Sequence, residues 1–395
     1  MSAVANEPPD ALWPVGTDGF FQPRRAAFWV LSILILNGLF YAARILVLGF
    51  QVVPVTALLG LLVWAGYAAV FLLAFRTLDL LEQHPPEAFQ LAFAWGGGGA
   101  LYFCAPANNA IQSLCAKLVS PEFASVWGPA LAGPMTEELL KLAGVILLIL
   151  VARTQFQTYL SVLIVGAMTG LGFQVIENLT YTINASLHFP LENEVTPVLL
   201  NLYTRGVLSG LWSHAAYTTI ASFGVAWFLL HPERPTVVRI AFALWCFTIA
   251  WGLHFLWNSP LLDDIFDDGM GGLALFILVK GIPALVAAGL FWRVAARENG
   301  AYLHALAAYF VPERDLIRDD EWARLGRPLQ RYQVRRAMGY AFGLRARRLK
   351  TRLQREQLRL IRKAATYGRG AQTLRHEVTV RRLRDKLERL MQSAR

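Results

Sequence analysis

Gly133-Pro134-Met135-Thr136-Glu137-Glu138-Leu139-Leu140-Lys141 runs on through Leu142-Ala143-Gly144-Val145-Ile146-Leu147-Leu148-Ile149-Leu150-Val151. It sets two adjacent carboxylates and an ammonium at the head of an apolar run long enough to cross a bilayer. Pro134 and Thr136 are residues that open helices, so the sequence predicts the acidic pair in a helix's early turns. Lys141 follows Glu138 by three and Glu137 by four, and a helix puts it beside both. Each ionisable group in a bilayer costs at least ~2.5–3.5 kcal/mol and usually marks function. A purely structural ion cluster is the weaker reading, because one lysine cannot neutralise two buried carboxylates.

The chain around this stretch reads as a polytopic membrane protein followed by something soluble. Of 395 residues, 55% are hydrophobic and only 16% charged, and mean hydropathy is +0.42. From Arg297 onward there are 25 Lys+Arg against 10 Asp+Glu, so the strongly basic charge belongs to the C-terminal quarter. Cys104, Cys115 and Cys246 fall in apolar segments without metal-binding spacing and read as small buried residues.

Residues 1–27 form a polar N-terminal segment containing Arg24-Arg25. With no small-residue cleavage site after the first apolar run, that run reads as a signal anchor. Spans are expected near residues 28–48, 54–75, 89–115, 127–151, 159–183, 204–230, 237–258 and 272–296, about eight in all. Gly96-Gly97-Gly98-Gly99 interrupt the third, and close packing is their better reading. With the N-terminus inside, the inner loops receive Arg24, Arg25, Arg76, Arg153, Arg234 and Arg239. The outer side receives Arg44, Lys117 and Arg205 with the acidic Glu122, Glu192, Glu194 and the Asp263–Asp268 loop. Both termini are therefore expected in the cytoplasm. Lys280 reads as a residue snorkelling outward from the last span.

Four spans carry polar groups in one layer. Counting ~1.5 Å per residue, Glu138 lies about 22 Å above Arg153, and Glu177 about 27 Å above Tyr159. His214 lies about 25 Å above His231, and His254 about 22 Å above Arg239. Either histidine alone is more often a satisfied core residue, and Glu177 alone could be an inter-helix hydrogen bond. Their shared depth favours one site. His84, His188, His231, His304 and His376 fall in loops or the tail and receive no role.

Glu137-Glu138-x-x-Lys141, Phe173-x-x-x-Glu177-Asn178, His214 and His254-x-x-x-Asn258, in that order, resemble the PrsW family of intramembrane proteases. That family is distantly related to the CAAX-prenyl and bacteriocin-processing proteases, whose second motif ends in His where this chain has Glu177. The resemblance covers roughly residues 28–296. It implies cleavage of membrane-anchored proteins, typically an anti-sigma factor, in a bacterial plasma membrane. Two mechanisms fit these residue types. In one, Glu177, His214 and His254 hold Zn2+ and Glu137 or Glu138 is the general base, with Lys141 keeping the acidic pair ionised. In the other no metal is needed: Glu137 and Glu177 activate water, while His254 and Asn258 stabilise the oxyanion. No HExxH motif supports zinc locally.

Residues 297–395 are expected to be a basic helical cytoplasmic tail. Leu349, Leu353, Leu360 and Ile361, then Val380, Leu383, Leu387 and Leu390, recur at helical spacing among many arginines. Anionic lipid headgroups are the simplest partner for such helices, and a helical partner is the alternative. Nucleic acid is disfavoured because no recognised module appears. The expected fold is all-α: a transmembrane helical bundle over residues 28–296 with this tail. A transporter or channel would also carry intramembrane Glu, His and Lys, but would spread them along a path. A non-catalytic scaffold would explain the charges but not the two ways of activating water.

Overall fold

Long apolar runs give helices here, and the described residues contain no strand. The computed structural model describes residues 16–77, 86–189, 193–261 and 270–394. The expected Asp263–Asp268 loop, Glu192, His84 and most of the N-terminal segment lie outside them. In chain order the membrane part comprises α1 (Ala26–Val52), α2 (Pro54–Thr77), α3 (Pro86–Ala94), α4 (Leu101–Leu118), α5 (Pro121–Val151) and α6 (Tyr159–Ser186). It continues with α7 (Val195–Asn201), α8 (His214–Leu230), α9 (Thr236–Asn258), α10 (Met270–Phe276) and α11 (Ile282–Phe310). The tail adds α12 (Asp319–Leu325), α13 (Pro328–Tyr367) and α14 (Ala371–Ser393).

Five of the described helices are long and apolar enough to cross a membrane: Ala26–Val52, Pro54–Phe75, Tyr159–Ser186, Thr236–Asn258 and Gly271–Phe310. The other expected spans take different forms. Residues 89–115 are divided between α3 and α4 by a wider π-helical turn, Trp95–Ala100. α5 carries Glu137, Glu138 and Lys141 in its own apolar half. The expected 204–230 span is broken: a π-helical stretch, Leu202–Leu208, runs into non-helical residues 209–213, and α8 begins only at His214.

The start of α5 corrects the sequence reading. The helix begins at Pro121, where the Ser120 side chain accepts from the Phe123 N–H at 3.1 Å and proline takes the first helical position. Pro134 therefore lies inside the helix, and the acidic pair sits in its middle rather than its first turns.

α6 is the axis of the bundle. Of its most apolar stretch 94% is buried, against 11–17% in the other four, whose outer faces are left for lipid. Gly166 and Gly170 on α6 allow α8 to approach closely; a Cβ at Gly170 would run into the His214 carbonyl. The four consecutive glycines pack as expected, since a Cβ at Gly96 would meet the Thr169 carbonyl of α6. α8 packs in turn against α9, and α5 against α4 and α9, so the four motif-bearing helices share one interior.

Arg25, Arg153 and Arg239 gather at one end. Arg25 pairs with Asp18 at 3.2 Å and donates to the Val151 carbonyl at 2.6 Å, Arg153 donates to the Phe156 carbonyl at 2.8 Å, and Arg239 to the Phe228 carbonyl at 2.8 Å. The tail meets the bundle at this end through Arg362, which donates to Gln155 at 2.6 Å. α11 continues past residue 296 to Phe310, so bundle and tail are joined by unbroken helix. The tail has its own apolar core, including Leu306, Leu316, Leu353, Leu360, Ile361, Val380 and Leu387. Lys280 differs from expectation. It is buried, and its ammonium donates at 2.7 Å to the carbonyl of Ser259, the residue that caps the end of α9.

Candidate active site

Helix geometry brings Lys141 back over the turn before it. Its Nζ donates to Glu138 Oε1 at 2.8 Å and to Glu137 Oε2 at 3.4 Å, and lies 4.0 Å from the centre of the Phe173 ring. It also donates to His214 Nδ1 at 2.7 Å, which requires that nitrogen to carry a lone pair. All three α5 side chains are buried.

The two histidines are held in the same way. His214 opens α8, and its Nε2 lies 3.0 Å from Glu177 Oε2 on α6. His254, on α9, has Nδ1 2.9 Å from Glu138 Oε1. Each carboxylate accepts a hydrogen bond from one ring N–H, and so fixes the tautomer. The freed nitrogens, His214 Nδ1 and His254 Nε2, both face Glu137 Oε2, at 3.7 and 3.9 Å. Tyr217 stacks on His254 with centroids 4.8 Å apart, and Thr218 donates to Glu138 Oε2 at 3.2 Å.

Glu137, His214 and His254 thus offer ligand atoms that all lie within 4.8 Å of one another, a group that could hold a metal ion. The sequence placed Glu177 in that set beside the two histidines. In the structure Glu177 touches His214 from the opposite side of the ring and pairs with Arg205 at 2.6 Å, while Glu137 faces both free nitrogens. The seven motif residues nevertheless come together. Glu137, Glu177, His214, His254 and Asn258 line one cavity of about 290 Å³, and Glu138 and Lys141 lie behind them. Asn258 Nδ2 donates to the Pro129 carbonyl at 3.4 Å.

Several participants were not singled out from sequence. Arg205 was counted among outer loop charges; it lines the cavity, and its Nε donates to Asn178 Oδ1 at 2.7 Å. Asn108 donates to Glu137 Oε1 at 3.2 Å and accepts from Thr136. Gly133 makes room, for a Cβ there would stand 3.2 Å from both Asn258 Nδ2 and Glu137 Oε1. Arg205 was findable as an arginine at the edge of an expected span. Asn108 carried no comparable signal.

The cluster's charge suits a cation. With all three carboxylates ionised and both histidines neutral, Glu137, Glu138 and Glu177 face, among the described residues, Lys141 and Arg205 as the full positive charges. One negative charge is left over in a buried site, and two imidazoles plus a carboxylate form a donor set of catalytic metal type. A metal placed there would replace the lysine contact on His214, while Glu138 keeps the ammonium paired.

Buried carboxylates and imidazoles thus surround a cavity inside apolar helices. The family model described as PrsW family intramembrane metalloprotease matches residues 84–288, and the chain belongs to that family. It is an integral membrane peptidase, and its substrates are membrane-anchored proteins. No curated protein and no solved structure shows significant similarity to the chain.

Proposed function

We propose that the protein is a zinc-dependent intramembrane endopeptidase in which Glu137, His214 Nδ1 and His254 Nε2 hold the metal. The observation that carries this reading is the matched pair of histidines, each bonded to a carboxylate at one nitrogen and facing Glu137 with the other. Zinc in such a site polarises the scissile carbonyl and makes water acidic enough to attack near neutral pH. Glu177 lines the cavity, and no hydrogen bond reaches its Oε1 among the described residues. It is the group placed to take the attacking water's proton and return it to the leaving amine. Glu138 orients His254, Lys141 compensates the acidic pair, and Asn258 donates toward the oxyanion from the cavity wall.

A specific contact supports a second reading. Lys141 Nζ stands 2.7 Å from His214 Nδ1, so the ammonium can fill the place of the metal. Glu137 and Glu177 would then activate water without one, and His254 with Asn258 would stabilise the oxyanion.

Metal analysis of purified protein separates the two. On the zinc reading, wild type retains stoichiometric zinc, and chelation stops cleavage of a single-span substrate reversibly. Glu137→Ala, His214→Ala and His254→Ala lose metal, while Glu177→Gln retains it with roughly 10–100-fold weaker affinity, as an outer partner should. Full activity in metal-free protein that ignores chelators would leave the second reading standing. By family resemblance the substrate is an anti-sigma factor or a similar single-span regulator in a bacterial plasma membrane. The arginine cluster at the tail end of the bundle supports both termini facing the cytoplasm. The division at residues 27 and 296 and the contact of the tail's basic helices with anionic lipid headgroups belong to the same reading.

A further inference from the structure

Gln174 and Asn178 stand one turn apart on α6, on either side of Glu177 in sequence, and both line the cavity. Each is 1% exposed, and each is anchored at one end of its carboxamide. Gln174 Nε2 donates to Tyr67 Oη at 3.0 Å and to the Gly210 carbonyl at 3.1 Å. Asn178 Oδ1 accepts from Arg205 at 2.7 Å. These contacts settle which atom is oxygen and which nitrogen. They leave Gln174 Oε1, an acceptor, and Asn178 Nδ2, a donor, buried without a partner among the described residues. Unpaired buried polar groups are rare and costly, so two of them beside a catalytic carboxylate require a reason.

A substrate supplies one. A membrane span is helical because each backbone N–H and C=O must be satisfied inside the segment. The residues around a scissile bond have to leave that helix to reach the site, which releases backbone donors and acceptors away from water. Four residues of helix rise ~6 Å, and two residues of extended chain advance ~6.7 Å, so one turn of α6 nearly matches the repeat of an extended strand.

Resting on the endopeptidase reading above, we infer that Gln174 Oε1 and Asn178 Nδ2 bind the main chain of the unwound, extended substrate, accepting from one peptide N–H and donating to one peptide carbonyl. Recognition is then of backbone conformation, and residue type beside the cleavage point is left to the rest of the cavity.

The test is a substrate-backbone scan with a membrane-anchored peptide that the wild type cleaves. Peptide links around the cleavage point are replaced one at a time by esters, which removes one N–H without changing a side chain. One position is expected to raise KM roughly tenfold with wild type and to have no such effect with Gln174→Met. Asn178→Asp keeps an oxygen for Arg205 and removes the free donor; its KM should rise roughly tenfold with kcat little changed. An ester penalty that persists in Gln174→Met at every position would overturn the inference, using wild-type fold as its reference. So would an Asn178→Asp enzyme that loses kcat at unchanged KM, since the residue would then only be positioning Arg205 and Glu177. Failure of the wild type to cleave any anchored peptide would instead strike the endopeptidase reading, and this inference with it.

Discussion

Two buried ion clusters, one around Glu321 in the tail and one around Glu137 in the bundle, invite comparison. Glu321 in the tail meets Lys350 at 2.7 Å, Arg384 at 2.7 Å and the Gln357 amide at 2.8 Å. One carboxylate faces two cations, and Glu321 itself lines a space of about 20 Å³, while its partner Lys350 also borders a groove of about 1020 Å³. In the bundle, three carboxylates face one lysine and one arginine, and the space beside them is about 290 Å³. A saturated ion cluster fixes helices to one another. An under-compensated cluster open to a cavity leaves charge and room for a ligand. The ratio of charges is what distinguishes the two clusters; burial does not, since Glu137 and Glu321 are both buried.

The comparison breaks most readily at Glu137. Glu137→Gln should reduce cleavage by ~10²–10⁴-fold while the helix content and detergent behaviour of the protein stay normal. A loss below tenfold would put the membrane cluster on the structural side with the tail. Glu321→Gln should do the reverse. Leaving Lys350 and Arg384 without their carboxylate costs ~3–5 kcal/mol of tail stability, read as lost hydrogen-exchange protection in α12–α14, with cleavage in detergent changed less than threefold.

Acid sharpens the same contrast. Burial by itself pushes the Glu321 carboxyl up, but Lys350 and Arg384 outweigh it and hold it down at about 2. A depressed carboxylate contributes stability above its unfolded pKa and loses it as pH falls toward the folded one. Tail protection, corrected for intrinsic exchange rates, should therefore be level from pH 7 to 5 and fall between about pH 4.5 and 2. In Glu321→Gln that acid-dependent fall should shrink. The smallest effect belongs to Gly133→Ala, whose new Cβ would stand 3.2 Å from Glu137 Oε1 and Asn258 Nδ2. A few-fold decrease in kcat with unchanged stability is the expected result. Unchanged kcat would show that Asn258 can shift without consequence.

Much of this was written in the sequence, because apolar run length and the cost of charge in a bilayer are local properties. The seven motif residues could be named, and their shared layer inferred, from helical rise alone. Which carboxylate faces the free nitrogens of His214 and His254 could not, since that depends on how α5, α6, α8 and α9 turn toward one another. Distance along a helix gives depth but not azimuth. The break at residues 209–213 was hidden in a run apolar enough to read as continuous helix. Lys280 misled for a related reason: its outward escape was assumed, whereas its ammonium turns inward to the Ser259 carbonyl. The beginning of α5 was legible at Ser120-Pro121 and was passed over for the second helix-opening signal at Pro134.

The placing of Lys141 on the same helix as Glu137 and Glu138 has a consequence for biogenesis. α5 emerges from the ribosome after α4, whose Asn108 reaches Glu137, but before α6, α8 and α9, which carry Glu177, His214, Thr218 and His254. During that interval its charges must enter a bilayer before either histidine is there to receive them. The lysine three and four residues along gives the segment its own counter-ion at birth, so a sequence too charged for an ordinary span can be inserted before its companions exist.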